Sequence, residues 1–98
     1  MYDIDLTKQA VKDAALLESA ALKKQAAQLI QVVRGNPFQN PPPFKALKGD
    51  RKGAYSRRIN RQHRFVYEVL PNTENRKDEN GVPYKGIVKI IRMWTHYE

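Results

Sequence analysis

Apolar and polar side chains alternate over Tyr2, Asp3, Ile4, Asp5 and Leu6, a period of two that predicts a short, half-buried strand. Thr7 follows, with a side chain able to cap a helix. Between residues 8 and 34 the pattern changes: Val11, Ala14, Ala15, Leu22, Ala26, Leu29, Ile30 and Val33 recur at steps of three and four among Lys, Gln and Asp, without Gly or Pro. That is amphipathic helix. A single helix of this length would span about 40 Å at about 1.5 Å per residue, more than the width of so small a domain. A break near Glu18 and Ser19, with Ser19 capping the second helix, therefore predicts an antiparallel helix pair. Gly35 and then Asn36-Pro37 stop it.

Residues 36–43 contain four prolines, so they should form an ordered, extended connector, with Phe38 and Phe44 anchoring it to the core. A rigid link within the domain is preferred to a docking site for proline-binding modules. Gly49-Asp50 through Gly53 reads as a turn. Strand-like residues 54–60 and 64–70, joined across residues 60–62, read as a hairpin. Residues 71–86 are polar and aperiodic, an exposed and mobile loop before a last strand at 87–95. Together these elements predict a single α+β domain over residues 1–98: two N-terminal antiparallel helices packed on a small, mostly antiparallel, twisted β-sheet.

Charge adds a partner class to this picture. Eighteen Lys and Arg against ten Asp and Glu give a formal charge of +8, which favours polyanions or acidic proteins. Without cysteine there are no disulfides or thiolate chemistry, and two His with no carboxylate cluster nearby argue against a metal site or cofactor. No apolar run approaches the roughly 18 residues of a membrane span, and the acidic start is unlike a signal peptide, so a cytoplasmic protein with no membrane role is expected.

The cations are threaded through strand sequence. Residues two apart on a strand share a face, so Ser56, Arg58 and Asn60 project together, and Tyr55, Arg57 and Ile59 project oppositely. A turn centred near Arg61 would set Arg58 opposite Arg64. Two opposed cations repel by about a few tenths of a kcal/mol or more, unless an anion such as phosphate lies between them. The bland alternative is that they are solvated, or paired with Glu68 and Asp50. His96 and Tyr97 could supply acid/base groups, although a terminal His is more often a surface residue and Tyr more often packs. His63, at the turn, suits a structural role. Trp94 and Tyr55 could stack on a base, but a lone Trp in a small domain is usually core.

Order and spacing are more specific than any one of these residues. Leu47-Lys48, Gly53, Tyr55-Ser56-Arg57-Arg58-Ile59, His63-Arg64-Phe65-Val66-Tyr67 and a terminal His96-Tyr97 resemble the YoeB/Txe family of bacterial toxins, within the RelE-like superfamily. The resemblance is strongest over residues 33–70. It implies a RelE-like fold and a type II toxin that cuts messenger RNA in the A site of the 70S ribosome. It also implies an acidic antitoxin of the YefM/Axe kind, frequent dimerisation, and contact with operator DNA only through the antitoxin.

The family's site then falls on Lys48, Arg58, Arg64, His96 and Tyr97. The implied reaction is attack of a ribose 2′-hydroxyl on its own 3′ phosphate, giving a 2′,3′-cyclic phosphate and a free 5′-hydroxyl. Arg58, Arg64 and Lys48 suit the charge on phosphorus, His96 the departing oxygen, and Tyr97 the orientation of the phosphate. Arg57, Arg61, Tyr55 and Trp94 join Lys48 as expected RNA contacts. Lys45 is a departure, standing where the family usually has the glutamate that serves as general base. It leaves open a lysine acting as base or electrostatic clamp, a weakened toxin, or a substitution that makes a toxic protein producible. Two other readings remain from the residues: a module that binds ribosome, RNA or an antitoxin without cutting, and, less favoured by the terminal His-Tyr, a ParE-like gyrase toxin.

Overall fold

The computed structural model describes residues 1–94. In chain order the elements are β1 (Asp3–Leu6), α1 (Lys8–Ser19), α2 (Lys23–Gly35), β2 (Phe44–Ala46), a short 3-10 turn (Gly49–Arg51), β3 (Ala54–Arg58), β4 (Arg64–Leu70) and β5 (Ile87–Arg92). They form a five-stranded sheet in the order β1-β5-β4-β3-β2, with β1 parallel to β5 and the other neighbours antiparallel. This is the expected α+β arrangement, two helices and a mostly antiparallel sheet. No helix among the described residues is long and apolar enough to cross a membrane.

Thr7 caps α1 as its sequence position suggested. Its Oγ1 accepts the Ala10 N–H at 3.0 Å and donates to the Ile91 carbonyl at 2.8 Å, so one hydroxyl ends a helix and ties it to β5. A cap of this kind is worth about 1 kcal/mol.

The break between helices lies later than Glu18-Ser19. Ser19 is the last residue of α1 and its Oγ donates back to the Ala15 carbonyl at 3.3 Å, while α2 starts after Leu22 with no side-chain cap. The chain reverses instead at Ala21, whose φ of 61° is left-handed. Ala21 N–H reaches Glu18 O at 3.2 Å and Leu22 N–H reaches Leu17 O at 2.8 Å, the bond pair of a Schellman stop.

The face of α1 that turns inward is also shifted from the sequence pattern. Ala10, Asp13 and Leu17 are buried, whereas Val11, Ala14 and Ala15 are exposed. With Ala26, Leu29 and Val33 of α2, the apolar members of that face meet Phe65, Tyr67, Val88 and Ile90, so both helices cover one face of the sheet. Burying each large apolar side chain contributes roughly 1.5–3 kcal/mol.

The proline-rich connector is anchored more deeply than by its phenylalanines. Phe38 is exposed at one side of an aromatic group with Phe44 and Tyr55, while Pro37 is buried and its carbonyl accepts the Tyr67 hydroxyl at 2.6 Å and Arg57 Nη2 at 3.0 Å.

Residues 71–86 form the expected exposed excursion, with an internal order the sequence did not suggest. Asn72 accepts the Arg76 N–H and donates to the Arg76 and Tyr84 carbonyls, and Arg76 binds Asp5 at 2.8 Å, Asp3 at 3.3 Å and Glu74 at 2.6 Å. Those hydrogen bonds, that to Asp5 foremost, hold the guanidinium pKa well above its usual value. The loop is thereby clamped along β1. Its return at Gly86 needs glycine, because a Cβ there would lie 2.8 Å from the Leu70 carbonyl oxygen.

Candidate functional site

The β3–β4 hairpin presents the threaded arginines. Asn60 Oδ1 accepts the backbone N–H groups of Gln62 at 2.9 Å and His63 at 2.7 Å, which folds the tip, and Ile59 N–H closes it on the His63 carbonyl at 2.9 Å. Register then pairs Arg58 with Arg64, as the turn centred near Arg61 predicted. A hydrogen-bonded pair at 59 and 63 makes the next pair a non-hydrogen-bonded one, in which Cα atoms stand only about 4.5 Å apart and side chains lie closest. Among the described residues neither arginine has a carboxylate partner, so pairing with Glu68 or Asp50 does not occur.

Both arginines lie on the face away from the helices, since their neighbours Arg57 and Phe65 turn into the core. One strand further, Lys45 sits beside Ser56. Pro43, Phe44, Lys45, Ser56, Arg58 and Arg64 line an open depression of about 280 Å³. Its lining carries three cationic side chains and no carboxylate. Ser56 is 1% exposed, and its hydroxyl has no hydrogen-bond partner among the described residues. A multiply charged oxyanion matches this surface, since it relieves the repulsion between opposed guanidiniums.

The other expected site residues divide. Lys48 is exposed just past β2 and lines an adjoining depression with Lys45. Arg61 is exposed at the hairpin tip. Arg57 is not available as an RNA contact: it is 0% exposed, donating to the Pro37 and Pro42 carbonyls and the Tyr67 hydroxyl, with its guanidinium 4.8 Å from the Phe44 ring centre. Burial pushes the Tyr67 phenol above its usual pKa, and the bond from Arg57 offsets only part of that. Tyr55 is half-exposed, and its ring lies with Phe38, Phe44 and Tyr67 on the side of the sheet opposite Arg58 and Arg64. Trp94 is half-buried and stacked on the ring of buried His63, with centroids 3.8 Å apart, so one indole face is already covered. His96 and Tyr97 lie outside the described residues. No group of three or more His, Asp or Glu side chains among the described residues is placed to hold a metal ion.

Sequence reasoning missed Ser56 as a lining residue and Asp13 as a buried one. Ser56 was legible as sharing a face with Arg58, but nothing in the sequence showed that its hydroxyl would be enclosed.

Comparison with known proteins gives a consistent answer. A family model described as the YoeB-like toxin of bacterial type II toxin-antitoxin systems matches residues 6–97. A YoeB/ParE toxin from Agrobacterium tumefaciens is 26% identical, with a TM-score of 0.78 over 97% of this chain and 99% of that one. The YoeB dimer from Staphylococcus aureus is 26% identical, with a TM-score of 0.72 over 98% of each chain. The toxin chain of the Staphylococcus aureus YoeB-YefM complex is likewise 26% identical, with a TM-score of 0.69 over 99% of each chain. YafQ from E. coli, at 17% identity and a TM-score of 0.69 over 97% of this chain and 93% of that one, shares the fold. None of the curated proteins matches the chain.

Proposed function

The chain belongs to the family of YoeB-like toxins of bacterial type II toxin-antitoxin systems, and we propose that it is an endoribonuclease that cuts messenger RNA in the A site of the 70S ribosome, in the cytoplasm. The observation that carries this reading is the Arg58–Arg64 pair, two guanidiniums on directly opposed residues beside Lys45.

In the reaction, the ribose 2′-hydroxyl loses its proton to solvent water and its oxygen attacks the adjacent phosphorus. The 5′ oxygen of the next nucleotide leaves with a proton from an acid. Products are a 2′,3′-cyclic phosphate and a 5′-hydroxyl. Negative charge builds on the phosphoryl oxygens in between, and Arg58 and Arg64 are the groups that meet it without reorganising. Lys48 and Arg61 extend the cationic track for the neighbouring backbone. His96 serves as the acid and Tyr97 orients the phosphate, roles carried over from the family pattern to those positions.

Lys45 occupies the base position. In the cationic lining it acts as an electrostatic clamp, and proton removal at the 2′-hydroxyl is then the slow part of the cycle. This same residue favours a second reading, in which the protein occupies the ribosome and blocks translation without cutting.

The partner in either reading is an acidic antitoxin of the YefM/Axe kind, suited to a chain of formal charge +8, with operator DNA reached only through it. The YoeB-YefM complex and the YoeB dimer of Staphylococcus aureus support the pairing and a homodimer. Mass analysis of cut ends tests the chemistry: 2′,3′-cyclic phosphate and 5′-hydroxyl ends are expected, and 5′-phosphate ends would overturn attack by the 2′-hydroxyl.

A further inference from the structure

Asp13 is a carboxylate with no exposed surface, on the face of α1 where the other buried positions, Ala10 and Leu17, are apolar. Its Oδ1 accepts Gln9 Nε2 at 3.0 Å. Its Oδ2 accepts three donors from the far end of the chain: Arg92 Nε at 2.8 Å, the Met93 N–H at 3.0 Å and the Trp94 N–H at 3.3 Å. A buried charge is unfavourable unless paired and bonded, and an apolar side chain would fill such a site with less penalty. The role of the carboxylate therefore lies in what it holds.

What it holds is the segment leaving the β4–β5 bulge, where the register shifts between Val66 and Tyr67. Arg92 completes the arrangement by donating from Nη2 to the Trp94 carbonyl at 2.9 Å, so both backbone polar groups of Trp94 are tied. The Trp94 indole lies against His63, with ring planes 22° apart. His63 is the residue that closes the hairpin: Asn60 Oδ1 holds its N–H at 2.7 Å and its carbonyl accepts Ile59 N–H at 2.9 Å. Arg64 comes next in the chain.

We propose that Asp13 is a positioning residue of the candidate site: through Arg92 and Trp94 it braces His63, and so fixes the hairpin tip from which Arg58 and Arg64 are presented. Its catalytic consequence rests on the RNA-cleavage reading. A displacement of about 1 Å in a catalytic constellation can cost on the order of a hundredfold in rate.

The test compares Asp13→Asn and Arg92→Gln with Val33→Ala, a truncation in the core that leaves every hydrogen bond of Asp13 in place, each assayed the same interval below its own Tm. In both bracing variants kcat for messenger RNA cleavage on ribosomes should fall about tenfold or more, with KM within about twofold, because the lost placement acts in the transition state. NMR signals of the Trp94 indole N–H, the His63 ring and Arg64 Nε–H should move in the same variants and stay in place in Val33→Ala. The proposal is overturned if His63 and Arg64 signals are unmoved, or if Val33→Ala lowers kcat equally. Should the unmutated protein fail to cut RNA, the cleavage reading falls, and the NMR comparison decides the bracing on its own. Should Asp13→Asn not fold, Arg92→Gln decides, since it leaves Asp13 its bonds to the Met93 and Trp94 amides.

Discussion

Arg58 and Arg64 face each other across β3 and β4 as a directly registered pair on the open side of the sheet, with no carboxylate between them among the described residues. Such a pair costs the fold about a few tenths of a kcal/mol or more. Tolerating that cost is what a site for a doubly bridged phosphate requires, and it ties the local register of one hairpin to the chemistry proposed for the whole chain.

Lys45 is the point at which the site can be improved. Lys45→Glu places a carboxylate beside Ser56 and close to both arginines, supplying a proton acceptor for the 2′-hydroxyl. A positioned base contributes about 10² to 10⁴ in rate. Single-turnover cleavage on ribosomes should rise within that range. Unchanged or lower rates would mean that Lys45 already does the work, or that another group is the base.

Arg57 is expected to matter for stability rather than for RNA. Arg57→Ala removes three bonds to buried or half-buried partners and leaves the Pro37 and Pro42 carbonyls less satisfied. A loss of about 3 kcal/mol follows from charged hydrogen bonds of this kind. Urea denaturation reads it directly. Arg57→Lys, too short to bridge all three acceptors, should recover only part of the loss.

The helix connection offers a stabilising change. Ala21 adopts a left-handed φ that costs an L residue roughly 1–2 kcal/mol, which Ala21→Gly relieves at some expense in unfolded-chain entropy. A net gain of about 0.5–1 kcal/mol, or about 2–8 °C in Tm for a domain of this size, is the expected outcome in a thermal melt. A lower Tm would show that the Schellman stop does not limit the connection.

Asp13 sets the acid limb of stability. Burial by itself would raise its pKa, but hydrogen bonds from Arg92, the Met93 N–H and Gln9, together with the Arg92 charge, outweigh burial and hold it below the ordinary 3.8. A carboxyl depressed in the folded state adds stability that is fully present above its unfolded pKa and is lost as pH falls through the folded one. Denaturation curves for the native protein should therefore weaken as pH drops below about 4. Asp13→Asn should be less stable at neutral pH and show a shallower decline into acid. Parallel pH profiles for the two would remove Asp13 from this role.

Much of the site was legible because it is local. The Arg58–Arg64 register follows from strand alternation and the length of one turn, both written in residues 54–70. The same alternation puts Arg57 and Tyr55 on the far face, and counting Arg57, which is fully buried, as an RNA contact gave its chemistry more weight than its direction. Asp13 could not be read, because an acid on a helix is ordinarily solvated and three of its four partners lie 79 to 81 residues away. Ala21 hid the helix break, since the left-handed position that normally calls for Gly is filled by a good helix former. The clamp of Arg76 on Asp3 and Asp5 is a contact of the same long-range kind.

Cleavage of ribosome-bound message by a cationic pair can be observed directly. Primer extension on a messenger RNA, with and without 70S ribosomes, measures it for the unmutated protein beside Arg64→Ala. Discrete stops within the A-site codon should appear only with ribosomes and the unmutated protein, and Arg64→Ala should lose about 10² or more of that signal while still binding ribosomes. Absence of cuts by the unmutated protein, or equal cutting by Arg64→Ala, would contradict the account.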